Sequence, residues 1–463
     1  MLDGIISFLE RIHIKEPKKP PRKPEPDVIS SLPQPIISHI ASFLPTEEAI
    51  RSTILSTSWR NVCSSLSNLE FNQADFKKKK LDSEVFSRFV SHTLRSHDGS
   101  DVHKFTLKAY FETLPEPMLV NEWISFAVQH NVKEIYISLH TMTPVTLPCC
   151  LFTSPTITLL DLFNFRLKLP SVIHLSNLQH LQIESLYFCN EMSLINLFSN
   201  LSCPLVNSCC VVSCPPYIPD LIPKSGWNLR SFSIANTFTN FDHNVLSLKL
   251  DTFLYHGSPP NIHPKFFYSM KTVTISLLNR AENLTEDCRR ATNIIVGLRN
   301  VKALWLNRLT VKYLAHDERS LAQLPISFRR MKILGFHLYP KTNQVQVLSF
   351  FLGRCPNLIN LVIKFLDGSR LGNVKEKYWQ LPKSCDGALD NLKSIAFHLF
   401  YGSKSELELM RCIFSRAKNI EKMVIHYSEE KQKNVAWKKI NSVFYLALVY
   451  KLSKPGTDFY ESF

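Results

Sequence analysis

The 463-residue chain has no long hydrophobic run, little glycine and few cysteines, and each shortage removes a class of protein. Its longest clean apolar stretch, Val443 to Tyr450, has eight residues, far short of the ~20 that a membrane helix needs. That stretch reads as a buried strand, and no membrane partner is expected. The opening segment MLDGIISFLERIHIKEPKKPPRKPEPD has an acid at position three and no small-residue cleavage site, which makes it a poor secretory signal. The chain therefore reads as intracellular, in the nucleus, the cytoplasm or both. Twelve glycines leave little material for phosphate-cradling loops, and there is no GxSxG elbow, HExxH, Walker loop or GxGxxG. No catalytic residue, metal or cofactor is expected.

Twelve cysteines in so long a chain are sparse, and Cys209 and Cys355 sit in apolar, strand-like contexts where a thiol packs as a small hydrophobe. The one metal-like cluster, Cys203, Cys209, Cys210 and Cys214, matches no CxxC pair. Its members alternate through a strand, so they face opposite ways and do not converge on an ion. His140, His256 and His263 stand singly, without partners at ligand spacing. The net charge is +15, but Lys18, Lys19, Arg22, Lys23 and the run Lys77 to Lys80 hold eight cations; taking these away leaves +7. So diffuse a charge says little about nucleic acid, because phosphate binding needs cations gathered on one face; the two clusters are the localised signals, each read as a solvated tail or loop, and nucleic acid is not the expected partner.

What is present is organisation. Residues 1–26 end in the proline-dense, basic KEPKKPPRKPEP, an extended solvated tail. From Asp27 the text becomes helical in period. Ile36, Ile37, Ile40, Phe43 and Leu44 make one stripe, and Ala49, Ile50, Ile54 and Leu55 another. Pro45-Thr46 separates two short helices, with Thr46 as the expected N-cap, and a third turn surrounds Trp59.

The order Asp27, Leu32-Pro33, Ile36, Ile40, Phe43-Leu44-Pro45-Thr46, Ala49, Leu55-Ser56 and Trp59-Arg60 closely resembles a plant F-box over residues 27–71. Two departures are visible: Gln34-Pro35 stands where an acidic pair is common, and Ser58 where a base usually precedes the tryptophan. Neither removes an apolar anchor.

Residues 72–100 read as a linker leading into a solenoid. Beyond them, short β-rich phrases of the form apolar-x-x-apolar-x-apolar begin at Val102, Val132, Ile157, Leu178, Val206, Leu229, Leu250, Met270, Val301, Met331, Leu358, Leu392 and Ile420. Chance alone supplies roughly 40 such matches in a chain this apolar, so the spacing carries the argument. Successive starts lie 20 to 34 residues apart, the period of an irregular leucine-rich repeat. Two phrases nearly superimpose: Cys203-Pro204 precedes Val206 and Cys355-Pro356 precedes Leu358, each reading as a turn. Met192 to Phe198 and Val345 to Leu352 have helical spacing before them.

LPSVIHLSNLQHLQIESLYF, Leu169 to Phe188, also resembles repeats of the plant F-box and leucine-rich-repeat family. Residues 385–427 resemble that family's FBD region, with a strand around Leu392 to Phe397, a turn at Gly402, a helix from Ser405 to Arg416 and a closing strand through Ile425. The segment 428–463 departs from the family and reads as an atypical C-terminal tail or a cap. The fold class is then α/β, an N-terminal three-helix F-box followed by an irregular leucine-rich-repeat solenoid, horseshoe in form, over 101–384.

The resemblance implies a non-catalytic receptor subunit of a ubiquitin ligase, whose F-box binds the Skp-type adaptor and, through it, cullin. Carried over position by position, adaptor contact falls to Leu32, Pro33, Ile36, Ile40, Leu44, Pro45, Leu55 and Trp59, with Leu32, Pro33 and Trp59 expected at the periphery. The solenoid would hold a protein client. Residues flanking the closely spaced apolar pair of each strand line its open face. These are Tyr136, Asp161, Phe163, His180, Gln182, Glu184, Trp305, Asn307, His337, Lys364 and His398, with Trp305 the leading aromatic anchor. The alternative reading is a basic scaffold or degenerate family member without ligase activity that contacts nucleic acid.

Overall fold

Every one of the thirteen apolar starts is buried and stands two residues ahead of a strand, so one local phrase builds the whole ladder. A computed structural model describes residues 32–427 apart from 55–56, 78–82, 112–116, 142–144, 168–169, 171, 186, 189–196, 198–201, 214–228, 236–249, 279–282, 317–320, 323, 325, 340–341, 367–386 and 388. Asp27, Leu55, the Pro-rich tail, the segment Met192 to Phe198 save Leu197, Cys214, Val443 to Tyr450 and the tail 428–463 lie outside the described residues. The chain falls into two compact units that divide between Asn228 and Leu229.

The first unit opens with three helices, α1 (Gln34–Ala41), α2 (Thr46–Arg51) and α3 (Thr57–Ser64). Pro35 sits in the first turn of α1, where its missing N–H costs nothing, so the Gln34-Pro35 departure suits a helix start. Glu47 and Glu48 lie in the first turn of α2 and Arg51 in its last, each with the helix dipole. Thr46 is not the N-cap expected from the sequence; Pro45 holds that place. The Thr46 hydroxyl instead accepts the backbone N–H of Glu70 at 2.6 Å. That bond ties α2 to β1 (Asn68–Asn72), a strand that the repeat count, begun after Lys80, does not include. The phrase Leu66-x-x-Leu69-x-Phe71 has the same form as the others, and all three side chains are buried.

Then follow the helices α4 (Gln73–Lys77) and α5 (Ser83–Arg95), β2 (Lys104–Phe111), α6 (Pro117–Gln129), β3 (Glu134–Thr141) and the short β4 (Val145–Thr146). The unit continues through β5 (Leu159–Phe163), β6 (Phe165–Leu167), β7 (His180–Glu184), β8 (Tyr187–Phe188) and β9 (Ser208–Val212). Strands β1, β2, β3, β5, β7 and β9 pair in that order, all parallel and in register. Just after β5, β7 and β9 stand Asn164, Ser185 and Ser213, with φ of 64°, 52° and 50°; this left-handed bend turns the chain off the ladder once per repeat. Beyond the bend β4, β6 and β8 form a second, narrow parallel sheet.

The second unit repeats the scheme with β10 (Ser231–Ala235), β11 (Thr252–Gly257), β12 (Thr272–Leu277), β13 (Ala303–Leu306), β14 (Ile333–Leu338), β15 (Asn360–Phe365), β16 (Ser394–Phe400) and β17 (Lys422–Tyr427). Each pairs parallel with the next. The return segments include α7 (Leu284–Gly297), α8 (Arg308–His316), α9 (Thr342–Leu352) and α10 (Lys404–Phe414). Helix α9 is the one expected from Val345 to Leu352. Gly402 has φ of 73°, as a turn before α10 requires. Ser403 caps that helix, and Glu406, almost fully buried, closes the capping box by accepting from the Ser403 N–H at 2.9 Å.

A polar device holds successive repeats in phase. Asn177, Asn300, Asn357, Asn391 and Asn419 each directly precede an apolar start, and each side-chain amide donates to a backbone carbonyl of the preceding repeat: Pro155 (2.7 Å), Tyr268 (3.3 Å), Arg329 (2.8 Å), Pro356 (2.9 Å) and Asp390 (2.6 Å). Thr156 does the same toward Val132 and Ser269 toward Leu250. Cys203 and Cys355 are fully buried at their turns, and burial pushes the Cys203 thiol up to about 12, so it packs as a thiol.

Candidate functional site

The expected helical stripe of the first three helices divides between two faces. Ile37, Ala41, Ala49 and Ile50 are buried among the helices, while Ile36, Ile40, Phe43 and Ile54 stand in solvent, Phe43 at 75% exposure and Ile54 at 63%. Ile37 and Ala41, four residues apart, share the buried stripe of α1, and Ile36 and Ile40, also four apart, share the adjoining stripe that faces solvent. His39 holds the exposed ring of Phe43 edge-on, centroids 4.8 Å apart. Pro33 and Pro45 are exposed beside these residues, and Leu32 and Leu44 are half-buried. Trp59 is not peripheral as expected: it is only 4% exposed and belongs to the core that joins the helices. Phe43 and Ile54, absent from the expected contact set, are the most exposed apolar residues of this face. Their signal was the stripe itself, whose outer and inner members sequence periodicity did not separate.

On the open face of the first unit, register brings Tyr136, Asp161 and Gln182 into one row and Phe163 and Glu184 into another. His180 and Gln182 are exposed, and the other expected residues of this group are half-buried. Tyr136 donates its hydroxyl to Glu134 at 3.2 Å, and the ammonium of Lys104 lies 4.9 Å from its ring centre. Burial and the nearby Glu184 push Asp161 up to about 6, with Lys108 pulling the other way. Two residues outside the expected set complete the cluster. Tyr110 stacks flat on His140 (4.4 Å), and His140 leans on Phe163 (4.7 Å). The result is an aromatic ladder across β2, β3 and β5 with carboxylates at its side.

In the second unit, Trp305 is half-buried and its indole lies over Gly335 of the adjacent strand. Asn307 serves the fold: its side chain accepts from Leu277 N–H and Thr310 N–H and donates to Leu277 C=O. His337, Lys364 and His398 face one another in exact succession of register on β14, β15 and β16. Burial first, then Lys364 and His398, lower the His337 imidazole to about 4. His426 of β17 stacks parallel on His398, centroids 4.5 Å apart. His426 escaped the sequence reading, although it stands six residues past its apolar start, just as His337, Lys364 and His398 do past theirs.

The comparisons with known proteins agree with this geometry. The F-box domain family matches residues 29–71. The family described as At1g61320/AtMIF1, LRR domain, matches residues 93–447. Among similar proteins of Arabidopsis thaliana, F-box/LRR-repeat protein At4g14096 is 26% identical over 87% of this chain and 88% of its own. F-box/LRR-repeat protein At4g14103 is 27% identical over 73% of this chain and 92% of its own. F-box/FBD/LRR-repeat protein At1g78750 is 23% identical over 90% and 94%.

Proposed function

Because the chain belongs to the plant F-box and leucine-rich-repeat family, we propose that it is the substrate-recognition subunit of a Skp-cullin-F-box ubiquitin ligase. One observation carries the reading: Ile36, Ile40, Phe43 and Ile54 present an apolar surface on helices whose own core is already filled by Ile37, Ala41, Ala49, Ile50 and Trp59. A surface of large apolar side chains beside exposed prolines suits a protein partner. In this reading that partner is the Skp-type adaptor, which links the chain to cullin.

The strand faces then hold the client. The receptor supplies no catalytic side chain. It raises the effective concentration of a client lysine at the ubiquitin-loaded conjugating enzyme, which is a large kinetic gain from positioning alone. Tyr136, Asp161, Phe163, His180, Gln182 and Glu184 in the first unit, and Trp305, His337, Lys364 and His398 in the second, are the client contacts of this proposal. Asn307 supports them from within.

The test is co-purification of a Skp-type adaptor with the full chain and with an Ile40→Asp, Phe43→Asp variant, both checked for folding by circular dichroism. Adaptor retained by the parent alone supports the proposal. Folded parent protein that retains no adaptor overturns it.

A further inference from the structure

On the open face of the first unit two carboxylates flank an aromatic ring. Asp161 and Phe163 lie on β5 and Glu184 on β7; register sets Gln182 beside Asp161 and Glu184 beside Phe163, so the two acids stand on neighbouring strands in adjoining rows. Both are half-buried, and among the described residues neither takes a hydrogen bond or an ion pair. They are near enough for Glu184 to oppose the ionisation of Asp161. The ring between them ends the ladder Tyr110, His140, Phe163, in which Tyr110 and His140 are exposed and their planes lie 2° apart. Ser138, the register partner of Phe163 on β3, puts no large side chain beside that ring.

The cations of this face stand apart from the two acids. Lys104 lies over the ring of Tyr136, whose hydroxyl donates to Glu134. Lys108, exposed on β2, pulls Asp161 toward its charged form, but burial and Glu184 outweigh it. His140 acts on Glu184 in the same sense, again second to burial. Among the described residues, β1, β2, β3, β5 and β7 bring Glu70, Glu134, Asp161 and Glu184 to this face against Lys104 and Lys108. The patch is acidic and aromatic in a chain whose net charge is +15.

We infer that Asp161, Phe163 and Glu184 form a seat for an arginine side chain of the protein client, its guanidinium over the Phe163 ring and bridging the two carboxylates. The occupant follows from charge and shape together. Acids on neighbouring strands offer acceptors on both sides of a flat ring. A guanidinium is planar, carries five donors in a fork and stacks on aromatic faces, whereas an ammonium is a compact, strongly hydrated point charge. A hard divalent cation asks for six or so oxygen ligands, and no group of three or more His, Cys, Asp or Glu among the described residues is placed to hold a metal ion. Half-burial without a partner disfavours the charged form of Asp161; an arriving guanidinium supplies the partner, so the carboxyl ionises as the arginine seats. Tyr110 and His140 extend the apolar wall beside the arginine stem.

This inference rests on the client-binding role proposed above, and its test is separate from the adaptor test. The full chain is titrated with a fluorescently labelled peptide of alternating arginine and glycine, and with the same peptide carrying lysine or the neutral isostere citrulline in place of arginine. The arginine peptide is expected to bind, the lysine peptide several-fold more weakly and the citrulline peptide not at all. Asp161→Asn and Glu184→Gln are each expected to weaken arginine-peptide binding about fivefold, and Phe163→Leu about threefold. Glu122→Gln, a matched charge change at an exposed position of α6, is expected to leave it unchanged. Circular dichroism checks each variant; Asp161→Asn removes a half-buried charge and is expected to fold. A parent chain that ignores the arginine peptide overturns the proposal. So does binding of the citrulline or lysine peptide as tight as that of arginine, or a loss with Glu122→Gln equal to that with Asp161→Asn. Adaptor retention by the same variants is read in parallel: it is expected to persist in all of them, and its absence from the parent chain as well would strike the ligase reading, not the arginine seat.

Discussion

The indole of Trp305 occupies the space that a side chain at residue 335 would need: a Cβ added to Gly335 would collide with Cε3, Cζ3 and Cδ2 of the ring. Trp305 on β13 and Gly335 on β14 are register partners, so the large residue and the missing one fill a single site between two strands. Gly335→Ala is expected to destabilise the chain by about 2 kcal/mol through this overpacking. The double variant Trp305→Ala, Gly335→Ala is expected to cost less than the two single changes together, because the collision is then gone. Urea unfolding of the three variants measures both terms.

Asp161 ties stability to pH. Its folded-state pKa, pushed up to about 6 by burial and by Glu184, exceeds the ordinary 3.8. The fold therefore prefers the protonated acid, and that preference is fully present below the ordinary carboxylate range and lost as pH rises through about 6. Asp161→Asn is expected to be more stable than the parent at neutral pH, by ~1 kcal/mol once solvent screening is allowed for. Thermal melts across the acid range are expected to show the difference closing as the solution is acidified. A difference that is constant with pH would place its cause elsewhere.

The two faces of the N-terminal helices predict opposite outcomes. Phe43→Asp and Ile40→Asp change exposed positions and are expected to alter stability by no more than about 0.5 kcal/mol while abolishing adaptor retention. Trp59→Ala opens the helical core and is expected to cost about 3 to 5 kcal/mol. Adaptor loss in that variant would accompany lost helical signal, which circular dichroism distinguishes from loss of a contact.

The asparagine row predicts a stability effect from residues that look like solvated loop positions. Asn391 is exposed, yet its amide donates to Pro356 C=O at 2.9 Å. Asn391→Ala is expected to cost about 1 kcal/mol, and Asn391→Asp at least as much, since a carboxylate cannot donate and faces a carbonyl oxygen. Chemical denaturation of the two variants checks the order.

The strand registers were legible in the sequence because burial is strict at three positions of each phrase: Val132, Ile135 and Ile137 are buried together, as are Leu358, Leu361 and Ile363. The first strand escaped because Leu66, Leu69 and Phe71 lie inside the F-box text, where helical spacing masks a strand. The asparagines escaped for a different reason. A hydrogen bond to the preceding repeat leaves no hydropathy pattern, and only the recurrence of asparagine one place before an apolar start marks it. The open face was legible residue by residue but not as clusters. Which side chains stack, as Tyr110 does on His140, depends on strands separated by a return segment. The structural role of Asn307 and the burial of Trp59 likewise follow from neighbours distant in the chain.

The bond from Glu70 N–H to Thr46 fastens the second helix to the first rung of the ladder. With α2 pinned to β1, distance from the helices is metered in rungs: β5, which carries Asp161 and Phe163, is three steps from β1, or about 14 Å at ~4.8 Å per step. If the proposed ligase reading holds, a client gripped one rung earlier or later would present its lysines to the conjugating enzyme displaced by one such step. In the proposed ligase Thr46 would be the zero mark of that spacing, and a Thr46→Val change is expected to leave both proposed grips intact while loosening the reach between them.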